Sequence, residues 1–136
     1  MSFLDVGTGT GILAIAVAKF QIQNSKFRII GCDTDFDSIK IAKENAELNE
    51  TENIEFFVGS ISTETPKFDF VCANLTVEVI LPILPLLIEK SKNILILSGI
   101  LKEQEDLIVN ELDKFQISNL KIETAGEWIS VLIENG

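Results

Sequence analysis

The sequence of 136 residues contains no histidine and no tyrosine, which removes the usual neutral-pH base, the usual metal ligand and a phenolic acid. Histidine-dependent hydrolysis is excluded, and no metal is expected. Cysteine is scarce: Cys32 and Cys72 each stand alone inside an apolar run, which reads as a pair of buried reduced thiols rather than a disulfide or a nucleophile. Positive charge is also short, with 11 basic against 21 acidic residues and a net charge of −10. Such a surface repels a phosphate backbone or an anionic bilayer, so neither nucleic acid nor membrane is an expected direct partner. A basic protein would suit it, although acidity is equally an ordinary route to solubility. The N-terminus lacks the basic start and small-residue cleavage pattern of a signal peptide. The apolar stretch from Val79 to Ile88 is too short to span a bilayer and carries Pro82 and Pro85. A soluble, cytoplasmic protein is the expectation.

What is present is alternation. With 46% hydrophobic residues and no repeat, linker or low-complexity tract, residues 1–136 read as one compact domain with a sizeable core. The β-branched or aromatic runs SFLDV, FRIIGCD, IEFFV, FDFVCANL and NILILSG are interspersed with longer helical patterns: ILAIAVAKF, DFDSIKIAKENAELN, a segment ending near Lys90, and LKEQEDLIVNELDKF. That order predicts an α/β fold, a mostly parallel sheet with helices on both faces. Two closing runs, ISNLKIE and WISVLI, are joined by Thr124 to Glu127 alone, too short a link for a parallel crossover. They are expected to pair antiparallel at one edge, completing seven strands with the last reversed. Gly59 to Lys67 leaves no room for a helix between the third and fourth strands, but such a link reaches about 30 Å, enough to cross two neighbours. Ile39, Ile41, Ala42, Ala46 and Leu48 are assigned to the inner half of the second helix, and Leu107, Ile108, Leu112 and Phe115 to the inner face of the last.

The strongest local signal is DVGTGTG. Asp5, Gly7, Thr8, Gly9 and Gly11 lie between an apolar strand and an apolar helix, where glycines permit a tight turn and let a ligand approach the backbone and the helix N-terminus. A bare strand-to-helix turn would use the same residues, but the placement favours binding. The spacing departs from the dinucleotide fingerprint G-x-G-x-x-G, because Ile12 stands where the third glycine belongs. Asp33 closes the second strand, with Thr34 after it, and a doubly wound sheet puts its carboxylate beside the glycine turn, in reach of ribose hydroxyls. Its rival role is a helix N-cap, for which Asp35 is better placed. Two carboxylates, Asp5 and Asp33, near one site suit a sulfonium cation better than a pyrophosphate, which favours S-adenosylmethionine (AdoMet) over NAD.

Further residues fall on the same carboxyl rim of the sheet. Ser60, after the third strand, lies in the loop expected to line an adenine pocket, or is a plain loop serine. Asn74 ends the fourth strand, where its amide can hold a substrate amine, with a helix N-cap as the rival role. Gly99 closes the fifth strand in LSGI and marks a turn or close backbone approach. Trp128 is a core or edge aromatic, or a wall of the substrate channel. Asp69 begins the fourth strand, at the far end, and reads as a turn or capping residue.

Taken in order, FLDVGTGTGILAIA, GCDTD, FDFVCANL, LSGIL and GEW resemble the ribosomal large-subunit protein eleven methyltransferase family (PrmA) over essentially the whole chain. The first two motifs are shared by AdoMet methyltransferases of the Rossmann-like class I fold in general. ANL, LSGIL and GEW are more specific. The resemblance implies that Gly7 and its loop hold the methionine end of AdoMet, Asp33 the ribose, and Asn74 the place where methyl leaves and amine arrives. It also implies acceptors that are lysine side chains and an N-terminal amine of a ribosomal protein. A methyltransferase acting on a glutamine amide or a small molecule would share the cofactor loop, and a non-catalytic AdoMet-binding module would need only that loop. The family carries an N-terminal substrate-recognition domain, a linker and a threonine-containing segment over the cofactor, whereas this sequence opens on its first strand; the expectation is a fragment, or a recognition part supplied elsewhere. The segment from Ala18 to Arg28 also reads as a few residues longer than the family pattern.

Overall fold

A computed structural model describes residues 1–20, 27–51, 53–117 and 119–135. The elements follow in the order β1 (Ser2–Val6), α1 (Ile12–Phe20), β2 (Arg28–Asp33), α2 (Phe36–Leu48), β3 (Ile54–Val58), β4 (Phe68–Asn74), α3 (Val77–Lys90), β5 (Ser91–Leu101), α4 (Glu105–Lys114), β6 (Leu120–Ala125) and β7 (Trp128–Glu134). The strands make one seven-stranded sheet, ordered β3-β2-β1-β4-β5-β7-β6. Pairing is parallel from β3 through β5, and β7 runs antiparallel to both β5 and β6. Strand order turns outward in both directions from β1 and β4, so the loops leaving their carboxyl ends part and open the crevice where such sheets bind ligands.

Alternation along each strand divides the core in two. On one face Ala14 and Ile15 of α1 and Ile39, Ala42 and Ala46 of α2 pack with Phe3, Ile29 and Phe56. On the other, Ile80, Leu84 and Leu87 of α3 and Ile108 and Leu112 of α4 pack with Val71, Leu95, Leu97 and Ile133. Helices therefore cover both faces, as the alternation predicted. Cys32 and Cys72 are buried free thiols, one under each set of helices. No helix among the described residues is long and apolar enough to cross a membrane.

Four residues depart from the predicted helix faces. Ile41 is 43% and Leu48 81% exposed; at 100° per residue they lie opposite Ile39, so apolar character did not mean an inward direction. Leu107 is one residue off the buried Ile108, and Phe115 is the C-cap of α4; both are exposed. The fifth strand is also longer than its motif, running through Gly99 to Leu101, so α4 begins only after a 3-10 turn at Lys102–Gln104. Residues 21–26, the centre of the segment expected to be long, lie outside the described residues.

The link from β3 to β4 contains no helix, as its length required. Ile61 anchors it in the core, and the nearly buried Lys90, at the end of α3, donates from Nζ to the Thr63 carbonyl at 3.0 Å. At the amino edge of the sheet, Asp69 accepts from Ser2 N at 2.8 Å and Ser2 Oγ at 3.1 Å. Those bonds tie β1 to β4 and hold the Asp69 carboxyl below the usual range, so its role is a strand clamp rather than a turn cap.

Candidate functional site

The bend between β1 and α1 is built around the end of β2. Gly7 N and Thr8 N both donate to the Cys32 carbonyl at 2.8 Å, Gly9 N donates to Asp33 Oδ2 at 2.9 Å, and Gly11 N returns to the Thr8 carbonyl at 2.9 Å. Gly11 is required by its backbone: φ is +83°, and a Cβ there would stand 3.0 Å from Phe56 Cζ and 3.1 Å from Ala42 Cβ. From α2, Asn45 Nδ2 donates to the Thr10 carbonyl at 3.0 Å, a support that no local motif signalled. A phosphate-binding turn works by presenting free amides. Here those of Gly7, Thr8, Gly9 and Gly11 are already engaged, so the bend offers shape and charge rather than donors.

The charge is negative. Asp33 is half-buried at the rim, with Oδ2 on the glycine bend and Oδ1 accepting from Asp35 N at 2.9 Å. Each oxygen keeps a further lone pair for an incoming hydroxyl. Asp35, not Asp33, caps α2, accepting from Asp37 N and from Ser38 Oγ. Thr34 is exposed between the two. Asp5 lies beneath the bend, 2% exposed, and Oδ2 accepts from Thr8 Oγ1 at 2.8 Å. Thr8 thus turns its hydroxyl inward, to Asp5. Burial pushes the Asp5 carboxyl up to about 6; the Thr8 bond opposes the rise and the nearby Asp33 charge adds to it.

The remaining rim residues divide into two groups. Gly59 N bonds the Asp33 carbonyl at 2.8 Å, placing Ser60 next to the end of β2; Ser60 is exposed and lines a cavity of about 220 Å³ with Leu4, Cys32 and Ile61. Asn74 instead lines a cavity of about 470 Å³ with Ser98, Gly99, Glu123, Trp128 and Ser130. Asn74 is exposed and is not a cap, since the N-cap of α3 is Thr76. Gly99 allows it to sit close to β5: a Cβ there would stand 2.7 Å from the Leu75 carbonyl and 2.9 Å from Asn74 Oδ1. Trp128 is 52% exposed, a cavity wall rather than a core residue. Glu123 and Ser130 were not singled out in the sequence. They come to the site through the pairing of β6 with β7, which no local spacing announces.

The sequence matches the family described as ribosomal protein L11 methyltransferase (PrmA) over residues 1–135. The chain belongs to the PrmA family. It is 40% identical over 131 residues to the ribosomal protein L11 methyltransferase of Campylobacter lari, an alignment covering 94% of this chain and 44% of that one. The chain therefore spans less than half the length of that PrmA relative. Among solved structures it resembles the ribosomal protein L11 methylase of Lactobacillus delbrueckii subsp. bulgaricus, with a TM-score of 0.88 and 30% identity over 99% of this chain and 70% of that one. An RNA methyltransferase of Salinibacter ruber in complex with S-adenosyl-L-homocysteine gives a TM-score of 0.72 at 17% identity, over 98% of this chain and 79% of that one. That likeness speaks for the Rossmann-like fold alone.

Proposed function

We propose that residues 1–136 form the AdoMet-binding catalytic domain of a methyltransferase that acts on amines of a ribosomal protein. The observation that carries this reading is the pairing of a glycine bend whose amides are engaged with two acidic side chains, Asp33 on the bend and Asp5 beneath it. A pyrophosphate would meet like charge and few donors there, whereas a sulfonium nucleoside meets charge of opposite sign and a carboxylate for its ribose. Space also fits, since nothing stands within 4 Å of where a Cβ on Gly9 would be. The relatives' printed names point the same way.

In this reading Asp33 takes the ribose hydroxyls and the Gly7 to Gly11 bend takes the methionine end. Thr34 and Ser60 flank the nucleoside, and Asp5 acts through its charge, from behind Thr8. When bound, AdoMet supplies an electrophilic methyl group on sulfonium. Asn74 orients the attacking amine through an amide that both donates and accepts. Displacement is in line and needs no covalent intermediate, so the residues work by positioning and by excluding water. The amine must first lose its proton, and in a chain without histidine or tyrosine that proton goes to water as the amine is desolvated beside Asn74.

Calorimetric titration tests the assignment. AdoMet is expected to bind and NAD to show no heat, and Asp33→Ala should weaken AdoMet by the cost of a charge-assisted hydrogen bond, about 1.5–3 kcal/mol. Unchanged affinity in that variant would remove Asp33 from the site, and NAD binding would remove the methyltransferase reading. Methylation assays on purified ribosomal proteins then identify the acceptor.

A further inference from the structure

The sheet ends on β6, whose outer edge has no neighbouring strand among the described residues. In the ladder with β7, Glu134 N donates to the Asn119 carbonyl at 3.3 Å, and an antiparallel ladder alternates between bonded and unbonded pairs. By register, Lys121, Glu123 and Ala125 therefore turn their backbone groups towards β7, and Leu120, Ile122 and Thr124 turn theirs to the open edge. Lys121 and Glu123 are exposed on one face of the strand, while Ile122 between them is half-buried on the other, against the core that holds Ile108 and Leu112 of α4. A free edge invites another strand, and proteins usually guard it with charged residues, a proline or a bulge. β6 has neither proline nor register shift. Its charges are one of each sign, symmetric about Ile122.

We propose that two copies of this chain pair through β6, antiparallel about a two-fold axis at Ile122, joining their sheets into one. In that register Ile122 bonds its own copy, Leu120 bonds the partner's Thr124, and Lys121 stands opposite the partner's Glu123 on both sides of the axis. The charged pairs fall at the unbonded positions, where facing side chains approach most closely. A register centred on Lys121 or on Glu123 would set like charges face to face. β3, the other edge, carries Glu55 and no basic residue, so a second copy of that strand offers it no ion pair. The chain has a net charge of −10 and repels its own copy at a distance, which leaves the opposite charges at the contact to decide whether two edges meet. Glu123 and Thr124 also line the cavity of about 470 Å³. The partner's Lys121 then stands at its outer wall, whatever ligand the rim holds.

Sedimentation velocity at physiological salt, where the Debye length is about 8 Å and long-range repulsion is screened, measures the association. The wild-type chain is expected to pass from monomer to dimer as its concentration rises through the micromolar range. Lys121→Glu and Glu123→Lys each turn both attractive pairs into repulsive ones, and each should weaken self-association roughly tenfold or more. Glu123→Lys should do so although it makes the chain less acidic, which separates the contact from net charge. An equimolar mixture of the two variants restores opposite charges at every facing pair. That mixture should dimerise as wild type does, which also certifies that both variants fold. A wild-type chain that stays monomeric up to the millimolar range, single variants that dimerise as wild type does, or a mixture no more associated than its components overturns the proposal.

Discussion

Replacing Asp5 with asparagine is expected to stabilise the fold at neutral pH while weakening its grip on a cationic ligand. Asp5 is 2% exposed, and its burial, with the Asp33 charge adding and the Thr8 hydroxyl opposing, raises its carboxyl from 3.8 to about 6. The folded value lies above the unfolded one, so the folded chain holds the proton more tightly. This contribution to stability is fully present below about pH 4 and is lost as pH rises through about 6, the reverse of an ion-paired carboxylate. At about 1.36 kcal/mol per pKa unit, the rise from 3.8 to about 6 amounts to about 3 kcal/mol in full, of which about 2 kcal/mol falls between pH 4.5 and 7.5. Asparagine keeps the shape and an oxygen for the Thr8 hydroxyl, but carries no charge.

Urea denaturation of both proteins across that range measures the effect. The stability of Asp5→Asn relative to wild type should grow by about 2 kcal/mol from pH 4.5 to 7.5, other carboxylates cancelling in the difference. Parallel curves would refute the claim that a buried charge is carried beneath the bend. A docked cation should lower the proton affinity of Asp5, so AdoMet should bind wild type more tightly as pH passes about 6. S-adenosylhomocysteine, with a neutral sulfur, should show a shallower dependence.

Two further outcomes are open to direct measurement. Gly11→Ala places a side chain at φ +83° and 3.0 Å from Phe56 Cζ, and should cost about 2 kcal/mol or more in urea denaturation; a smaller loss would mean that the bend relaxes freely. The Cys32 and Cys72 thiols are pushed up to about 12, chiefly by burial, so native protein at pH 8 should resist an aromatic disulfide reagent that labels both after unfolding. Prompt labelling of the native chain would contradict the packing around them.

The parts of the fold that were legible are those in which local pattern and final environment agree. SFLDV and IEFFV became β1 and β3 without change of boundary, and the short link between the last two runs forced an antiparallel pair that the structure contains. Which of that pair lies inside was not read from the sequence: Ile129, Val131 and Ile133 are buried in β7, whereas Leu120 and Ile122 of β6 are half-buried and share their strand with Lys121 and Glu123. The helix faces failed where hydrophobicity was taken for direction, at Ile41 and Leu48. The site divides in the same way. Asp33 reaches the glycine bend as its place at the end of β2 predicted, because that neighbourhood follows from one βα turn and one parallel pairing. Glu123 and Ser130 meet Ser98 and Asn74 only through three successive strand pairings, two of them with a register shift. No spacing along the chain encodes that encounter.

The inward turn of Thr8 links stability to function at this bend. A hydroxyl facing solvent would leave Asp5 buried without its donor, at a cost of about 1–3 kcal/mol; facing Asp5, it fixes the loop and leaves the carboxylate one bond from the site. Within the two cores described, apolar side chains dominate, and the acidic group costly to bury lies under the one bend that a cation is proposed to approach. A fold selected for stability alone would place an amide or an aliphatic group at that position. Retaining a carboxylate there is reasonable only if its charge is used when a ligand is bound, and the contrast between AdoMet and S-adenosylhomocysteine, with its neutral sulfur, is the measurement that isolates such a use.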